Sequence, residues 1–275
     1  MSDSFAVAAG YIMPHPPIII PGVNKGPVMA AETIEAMESV SAQVESIKPD
    51  TVIIISPHAP LYSDFIFMYD NPLLQGDFSR FGAGRVKLSI SQDTGLLRMI
   101  EAGLQSASIP GGAKYEADLD HGVTVPLFYL SKAYHDFKLI AMSCSGLSIP
   151  VLNRIGGVIA KACADSGKRI VVVASGDMSH KVNDESPYGS VPEGAEFDRR
   201  FVGFLKSGDL AGLQSIESVL RRKAAECGYN SAVILCGVFN GMTVATDVLS
   251  YEAPYGIGYC VASIKSIERQ VNGNE

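Results

Sequence analysis

Two of the five histidines in this 275-residue chain share one mounting. His15 lies in MPHPP, residues 13–17, and His58 lies in SPHAP, residues 56–60. Proline holds φ at about −65° and restricts the residue before it, so each imidazole sits on a stiff backbone. A metal ligand needs such a mounting. For either motif alone, a turn with an incidental histidine reads as well. The recurrence of the motif favours the metal. Two histidines fall short of a structural or a typical catalytic zinc site, so a third ligand is needed. Glu252, in LSYEAPYGIGY, is the preferred candidate: it leaves an apolar strand pattern, and Pro254 and Gly256 shape the turn after it. Asp177, Asp120 and Asp64 compete with it.

The other histidines differ in setting. His180 ends VVVASGDMSH, past an apolar run, and His121 in DLDHGVTVP precedes an apolar helical pattern. His135, in KAYHDFK, reads as a solvated surface residue. His15, His58 and His180 all lie just past strand ends, where open α/β sheets collect ligands. An imidazole titrates near neutrality and can take and return a proton. Asp177, three residues before His180, suits an acceptor that orients that ring, or equally a turn or cap carboxylate. Arg80, in GDFSRFG, is either an anchor for a substrate carboxylate or a surface arginine.

Short apolar runs that read as buried strands precede several of these residues. They cover 5–13, 51–56, 86–90, 138–142, 169–174, 243–250 and 256–264. Several are apolar on both faces, as in a sheet covered on both sides. Helical spacing appears between them. Residues 30–47 place Ile34, Met37, Val40, Val44 and Ile47 on one stripe, and 96–107 repeat the pattern. Ser148 suits an N-cap, with Pro150 in the first turn and Gly167 as the stop. Helices are also expected at 193–206, 216–227 and 230–240. This alternation predicts an α/β fold, a single-domain α/β/α sandwich with a mixed central sheet. One catalytic-type domain is expected over 1–275, with its core at about 5–263. Residues 57–85, 108–121 and 181–194 read as long loops, a common source of binding sites.

Composition narrows the partners. Hydrophobic residues make up 47% and charged residues 19%, with a formal net charge of −7. Without a long basic run the chain is a poor match for nucleic acid, whose phosphates need clustered Lys and Arg. A small molecule is the expected partner. The five cysteines form no CxxC and are widely spaced, so a disulfide or zinc-thiolate framework is not expected, and most of them read as small core residues. No apolar run approaches the roughly 18 residues of a membrane-spanning helix, and the N-terminus lacks a basic signal-like region. A cytoplasmic protein without membrane partners is expected, and a homo-oligomer is a reasonable prior.

The ordered set MPHPP, SPHAP, DLDHG, SGDMSH and SYEAPYGIGY resembles the class III extradiol ring-cleavage dioxygenase superfamily. It is more similar still to the Memo-like members found in the AmmeMemoRadiSam group. The resemblance covers roughly residues 5–263. It implies a non-haem Fe(II) site formed by His15, His58 and Glu252, with zinc or another divalent metal as alternatives. It assigns His180 as the acid-base residue and His121 as a hydrogen-bonding partner of substrate or oxygen. The implied reaction opens the ring of a small catechol-type aromatic, with O2 as co-substrate. Two other functions fit the same motifs. One is a Memo-like metal-binding or redox accessory protein without ring cleavage, beside a radical-SAM pathway partner. The other is a zinc-dependent hydrolase or isomerase using the same pocket.

Overall fold

The computed structural model describes residues 7–24 and 26–267. Eight strands form one mixed sheet: β1 (Val7–Met13), β2 (Thr51–Ser56), β3 (Ile66–Tyr69), β6 (Gly111–Lys114), β7 (Lys138–Ser143), β8 (Ile170–Ser175), β9 (Val244–Glu252) and β10 (Tyr259–Ser266). Their spatial order is β6-β3-β7-β2-β8-β1-β10-β9. The central run β7-β2-β8-β1 is parallel, whereas β10 joins β1 and β9 joins β10 antiparallel. The remaining strands, β4 (Leu73–Phe78) and β5 (Ala83–Ser91), form a separate antiparallel ribbon.

Alternation within the central strands feeds two cores. Ile53 and Ile55 of β2, with Val172 of β8, face one apolar cluster. Val52 and Ile54, with Val171 and Val173, face the other. Side chains of a strand alternate between faces, so a strand apolar on both faces must be covered on both. The first core is closed by α2 (Thr94–Ser106), α4 (Ile149–Ser166), α5 (Pro192–Ser207) and α8 (Tyr229–Val238). The second is closed by α1 (Ala31–Ile47) and α3 (His121–Ala133), which pack on each other. The α/β/α sandwich expected from the sequence is the observed fold.

The helix from 149 ends as anticipated, with Gly167 in the left-handed region at φ 67°. Several local expectations differ. The region 216–227 is helical only over α7 (Ser218–Ala224), and Ala225 leaves it at φ 53°. A short helix, α6 (Leu210–Gln214), precedes it. The segment 86–90 belongs to the β4–β5 ribbon, where alternate residues face solvent, and not to the buried sheet. The supposed loops 57–85 and 108–121 contain β3, β4 and β6. Phe5, the expected start of the first strand, lies outside the described residues. No helix among the described residues is long and apolar enough to cross a membrane.

Candidate functional site

Strands β2, β8 and β1 are neighbours and run parallel, so their carboxyl ends open on one spot. His58 stands two residues past β2, His15 two past β1, and Asp177 and His180 two and five past β8. His121 opens α3, behind the N-cap Asp120. One Asp120 carboxylate oxygen accepts the Gly122 N–H at 2.8 Å and the Ser56 hydroxyl at 2.6 Å. That hydroxyl in turn accepts the His58 N–H at 3.1 Å. The α3 cap and the His58 turn are therefore one hydrogen-bonded unit.

The ring of His15 is buried, and its tautomer follows from its neighbours. Ser175 gives its hydroxyl proton to the Gly122 carbonyl at 2.5 Å, so toward His15 Nδ1, at 2.9 Å, it can only accept. The proton is on Nδ1, and His15 Nε2 carries a lone pair. That nitrogen stands 3.0 Å from Nε2 of the solvent-exposed His58. Two ligands held about 2.1 Å from one ion stand at such a separation. Burial and the neighbouring His58 hold His15 well below the usual imidazole range, and burial also lowers His58, so both offer neutral nitrogens.

The third ligating group beside them is a thiol. Cys227 Sγ lies 3.6 Å from His15 Nε2, and the ligand atoms of His15, His58 and Cys227 all lie within 4.8 Å of one another. The position of Cys227 depends on a backbone crossing. A Cβ on Gly176 would come within 2.0 Å of Gly228 Cα, so only hydrogen allows the β8 exit and the start of α8 to touch. Across that contact the Asp177 carbonyl accepts the N–H groups of Cys227 and Gly228, and the Asp177 N–H points at Cys227 Sγ at 3.3 Å. Burial raises the thiol well above its ordinary range, so without a cation it keeps its proton. A bound cation reverses this and takes a thiolate. The set fits a metal: the lone pair of His15 Nε2, the Nε2 of a second neutral imidazole converging on it, and a thiol at the same point.

Glu252, the expected third ligand, is engaged elsewhere. One of its carboxylate oxygens accepts both the N–H and the hydroxyl of Thr33, each at 2.6 Å. Thr33 lies in the first turn of α1, whose N-cap Ala30 has no capping side chain, so Glu252 supplies the cap from across the chain. The reading of most cysteines as small core residues holds, with Cys227 as the exception. Cys144, Cys163, Cys236 and Cys260 are buried, whereas Cys227 borders the site. A thiol within a short helical stretch resembles any small apolar residue, and only the stop at Ala225 and the glycine at 228 mark the turn that holds it.

The two expected catalytic histidines face the same place. His121 stacks on His58 with ring centres 4.2 Å apart, and Phe81 packs on its edge at 5.4 Å. Burial, then the nearby His58, lower His121 to about 4, so it is neutral at physiological pH. His180 Nδ1 donates to the Ala225 carbonyl, which leaves Nε2 as its lone-pair nitrogen. Asp177 does not orient that ring: its carboxylate accepts the backbone N–H of His15 at 2.9 Å. Asp64 is exposed and Asp120 is the cap already described. His15, His58, His121 and His180 line one cavity of about 500 Å³. Arg80 sits exposed in a 3-10 turn, residues 79–81, on the β4–β5 ribbon and does not line that cavity.

The model of the family described as the catalytic LigB subunit of aromatic ring-opening dioxygenase matches residues 9–262. A protein of Clostridium acetobutylicum is 31% identical over 272 residues, which are 95% of this chain and 58% of that protein, so the chain spans little more than half of that relative. A MEMO1 family protein of Methanosarcina mazei is 28% identical over 43% of this chain and 40% of its own length. A 2,3-dihydroxyphenylpropionate/2,3-dihydroxicinnamic acid 1,2-dioxygenase of Pseudomonas putida is 24% identical over 62% of this chain and 53% of its own. The crystal structure of an uncharacterized protein from Escherichia coli K12 superposes with a TM-score of 0.66, at 14% identity, over 94% of this chain and 100% of that one. The chain belongs to the LigB family of aromatic ring-opening dioxygenases, with MEMO1 family proteins among its relatives.

Proposed function

We propose that the chain is a Memo-like metal protein with a single ion held by His15, His58 and Cys227 beside a cavity for a small aromatic ligand. The observation that carries this reading is the thiol at the position where ferrous dioxygenase chemistry would call for a carboxylate. A ligand set with one thiolate is softer than two imidazoles and a carboxylate, and suits zinc, copper or iron. A bound ion would polarise a phenolic oxygen or exchange electrons with it. The chain's own groups do the rest. Ser175 fixes the tautomer of His15, and the Asp177 N–H points at Cys227 Sγ, where it would stabilise a thiolate. His180 Nε2 takes a hydroxyl proton from the ligand, while neutral His121, also in the wall, offers a hydrogen bond.

A second reading is supported by those last two residues. His121 and His180 both border the cavity, and a proton acceptor with a neutral partner is what extradiol opening of a catechol requires of the protein. In that reading the ion is Fe(II) and O2 is the co-substrate. One experiment separates the two. The protein is titrated anaerobically with Co(II) and Fe(II), and oxygen uptake is then followed with a panel of catechols. A sulfur-to-cobalt charge-transfer band that disappears in Cys227→Ser, without oxygen uptake, supports the Memo-like reading. Oxygen uptake matched by a new semialdehyde band supports ring opening. Absence of both the metal and the band overturns the metal centre.

A further inference from the structure

We propose that the cavity beside His15 and His58 selects an aromatic ligand that carries a positively charged nitrogen. The inference rests on that cavity being the ligand site, as proposed above, and adds the charge of what enters it. The walls supply three independent reasons.

The first is the sign of the charged groups. No Lys or Arg is among the described residues lining the cavity, whereas Asp177 and Glu185 both are. Arg80, the cation of the nearby ribbon, forms no part of the wall. Away from the metal position, a carboxylate on the ligand would therefore meet two acidic side chains and no Lys or Arg in the wall, Arg80 acting only from outside it on His121.

The second is the state of Asp177. Its side chain is 6% exposed, and one oxygen is bound by the His15 N–H while the other accepts no hydrogen bond from the described residues. Asp177 lines the cavity, so an oxygen without a protein donor is open to a donor carried by the ligand. An ammonium group supplies such a donor together with the opposite charge.

The third is aromatic. Tyr188, Tyr255 and Tyr259 line the same cavity; Tyr188 stands edge-on to His180 with ring centres 5.6 Å apart, and Tyr255 and Tyr259 lie 6.5 Å apart. Burial, then the Asp177 charge, raise Tyr259, so it stays an uncharged phenol. Uncharged tyrosine faces attract cations, and groups of them recognise alkylammonium ligands. Glu185 and Tyr188 are exposed, Tyr255 is half-buried, and Asp177 and Tyr259 are buried, so acidic and aromatic groups line the cavity from solvent inward.

The test uses two ligands of similar size and opposite charge, tyramine and 3-(4-hydroxyphenyl)propionate. Both lack the second ring hydroxyl, so their binding is read whether or not the protein opens a catechol, and failure of the ring-opening reading leaves the result intact. Calorimetric titration is run on the protein as purified and again after metal removal. Tyramine is expected to bind at least about tenfold tighter than the acid in low salt. The preference should shrink with added salt, because Glu185 is exposed. Glu185→Gln is expected to reduce the preference about threefold, and Asp177→Asn to reduce it further. The proposal is overturned by an acid that binds as tightly as the amine, by failure of both ligands to bind, or by a preference that survives both substitutions.

Discussion

Asp177 holds His15 from the side chain, its carboxylate accepting the His15 backbone N–H at 2.9 Å, and holds Cys227 from the main chain, its N–H directed at the sulfur at 3.3 Å. A single residue thus sets the spacing of two candidate ligands that lie 212 positions apart in sequence. Replacing its side chain cuts only the first connection. Asp177→Ala is expected to weaken metal binding by about 10- to 100-fold, the usual cost of losing an outer partner of a ligand. Asp177→Asn, which keeps an acceptor oxygen, should recover most of that loss. Competition with a chromophoric chelator measures both. An Ala variant with unchanged affinity would show that the loop holds His15 without help.

Cys227 stands beside the imidazole pair, where the sequence pattern leads one to expect Glu252, and Glu252 caps α1 instead. Cys227→Ala should abolish or strongly weaken metal binding and leave the thermal transition of the stripped protein nearly in place. Glu252→Ala should do the reverse. It removes the cap on Thr33, at a cost of about 1 kcal/mol, and leaves the imidazole pair untouched. Melting curves with and without metal, taken on both variants, give four numbers that must follow this crossed pattern. If Glu252→Ala loses the metal while Cys227→Ala retains it, the ligand assignment made from the geometry is wrong.

The parts of the fold that are legible in the sequence are the ones with a period. β2 and β8 are apolar at every inner position because each feeds two cores, and an unbroken apolar run of that length has few places to go except a sheet covered on both sides. The proline-mounted histidines are legible because the restriction is local to five residues. β6 is not, because GGAK carries no strand signal and is held by pairing with β3. Nor is the ribbon, whose alternation in β5 looks the same whether it is the edge of a sheet or a separate hairpin. Glu252 misleads for a related reason. Its partner Thr33 lies 219 residues away, and a carboxylate after a strand looks alike whether it meets an ion or a helix end.

Asp198 gives the protein a stability that depends on pH. It is fully buried, accepts the Ser179 N–H at 2.8 Å and the Tyr251 hydroxyl at 2.7 Å, and burial pushes it up to about 7. Between the ordinary carboxylate range and that value the folded state keeps a proton that the unfolded chain has released. The Asp198 contribution to folding stability therefore falls as pH rises from about 4 to about 7, by up to about 1.4 kcal/mol per pH unit, while the lowered His15, His58 and His121 contribute a slope of the opposite sign below about 6.5. Glu226, also raised to about 7 by burial, contributes a slope of the same sign as Asp198. Asp198→Asn should therefore shift the slope between pH 4 and 7 in the positive direction. Urea denaturation at several pH values between 4 and 7 measures it, and a slope unchanged by the substitution would mean that Asp198 is ionised in the fold throughout.

His180 is the group placed to move a proton, and its orientation does not depend on the metal ligands. Its Nδ1 is tied to the carbonyl of Ala225, a non-glycine residue held at φ 53° at the end of α7. Its backbone N–H is tied to the Ala224 carbonyl at 3.0 Å. The ring therefore keeps its lone pair toward the cavity whether or not an ion is present. His180→Ala should leave metal affinity within about twofold of the parent, since it removes no ligand. It should lower any turnover of a phenolic substrate by about 10²- to 10⁴-fold, the range typical of a lost general base. The two readouts separate the roles. Metal affinity lost with turnover would move His180 into the ligand set, and turnover retained with metal bound would give the proton transfer to His121 or to water.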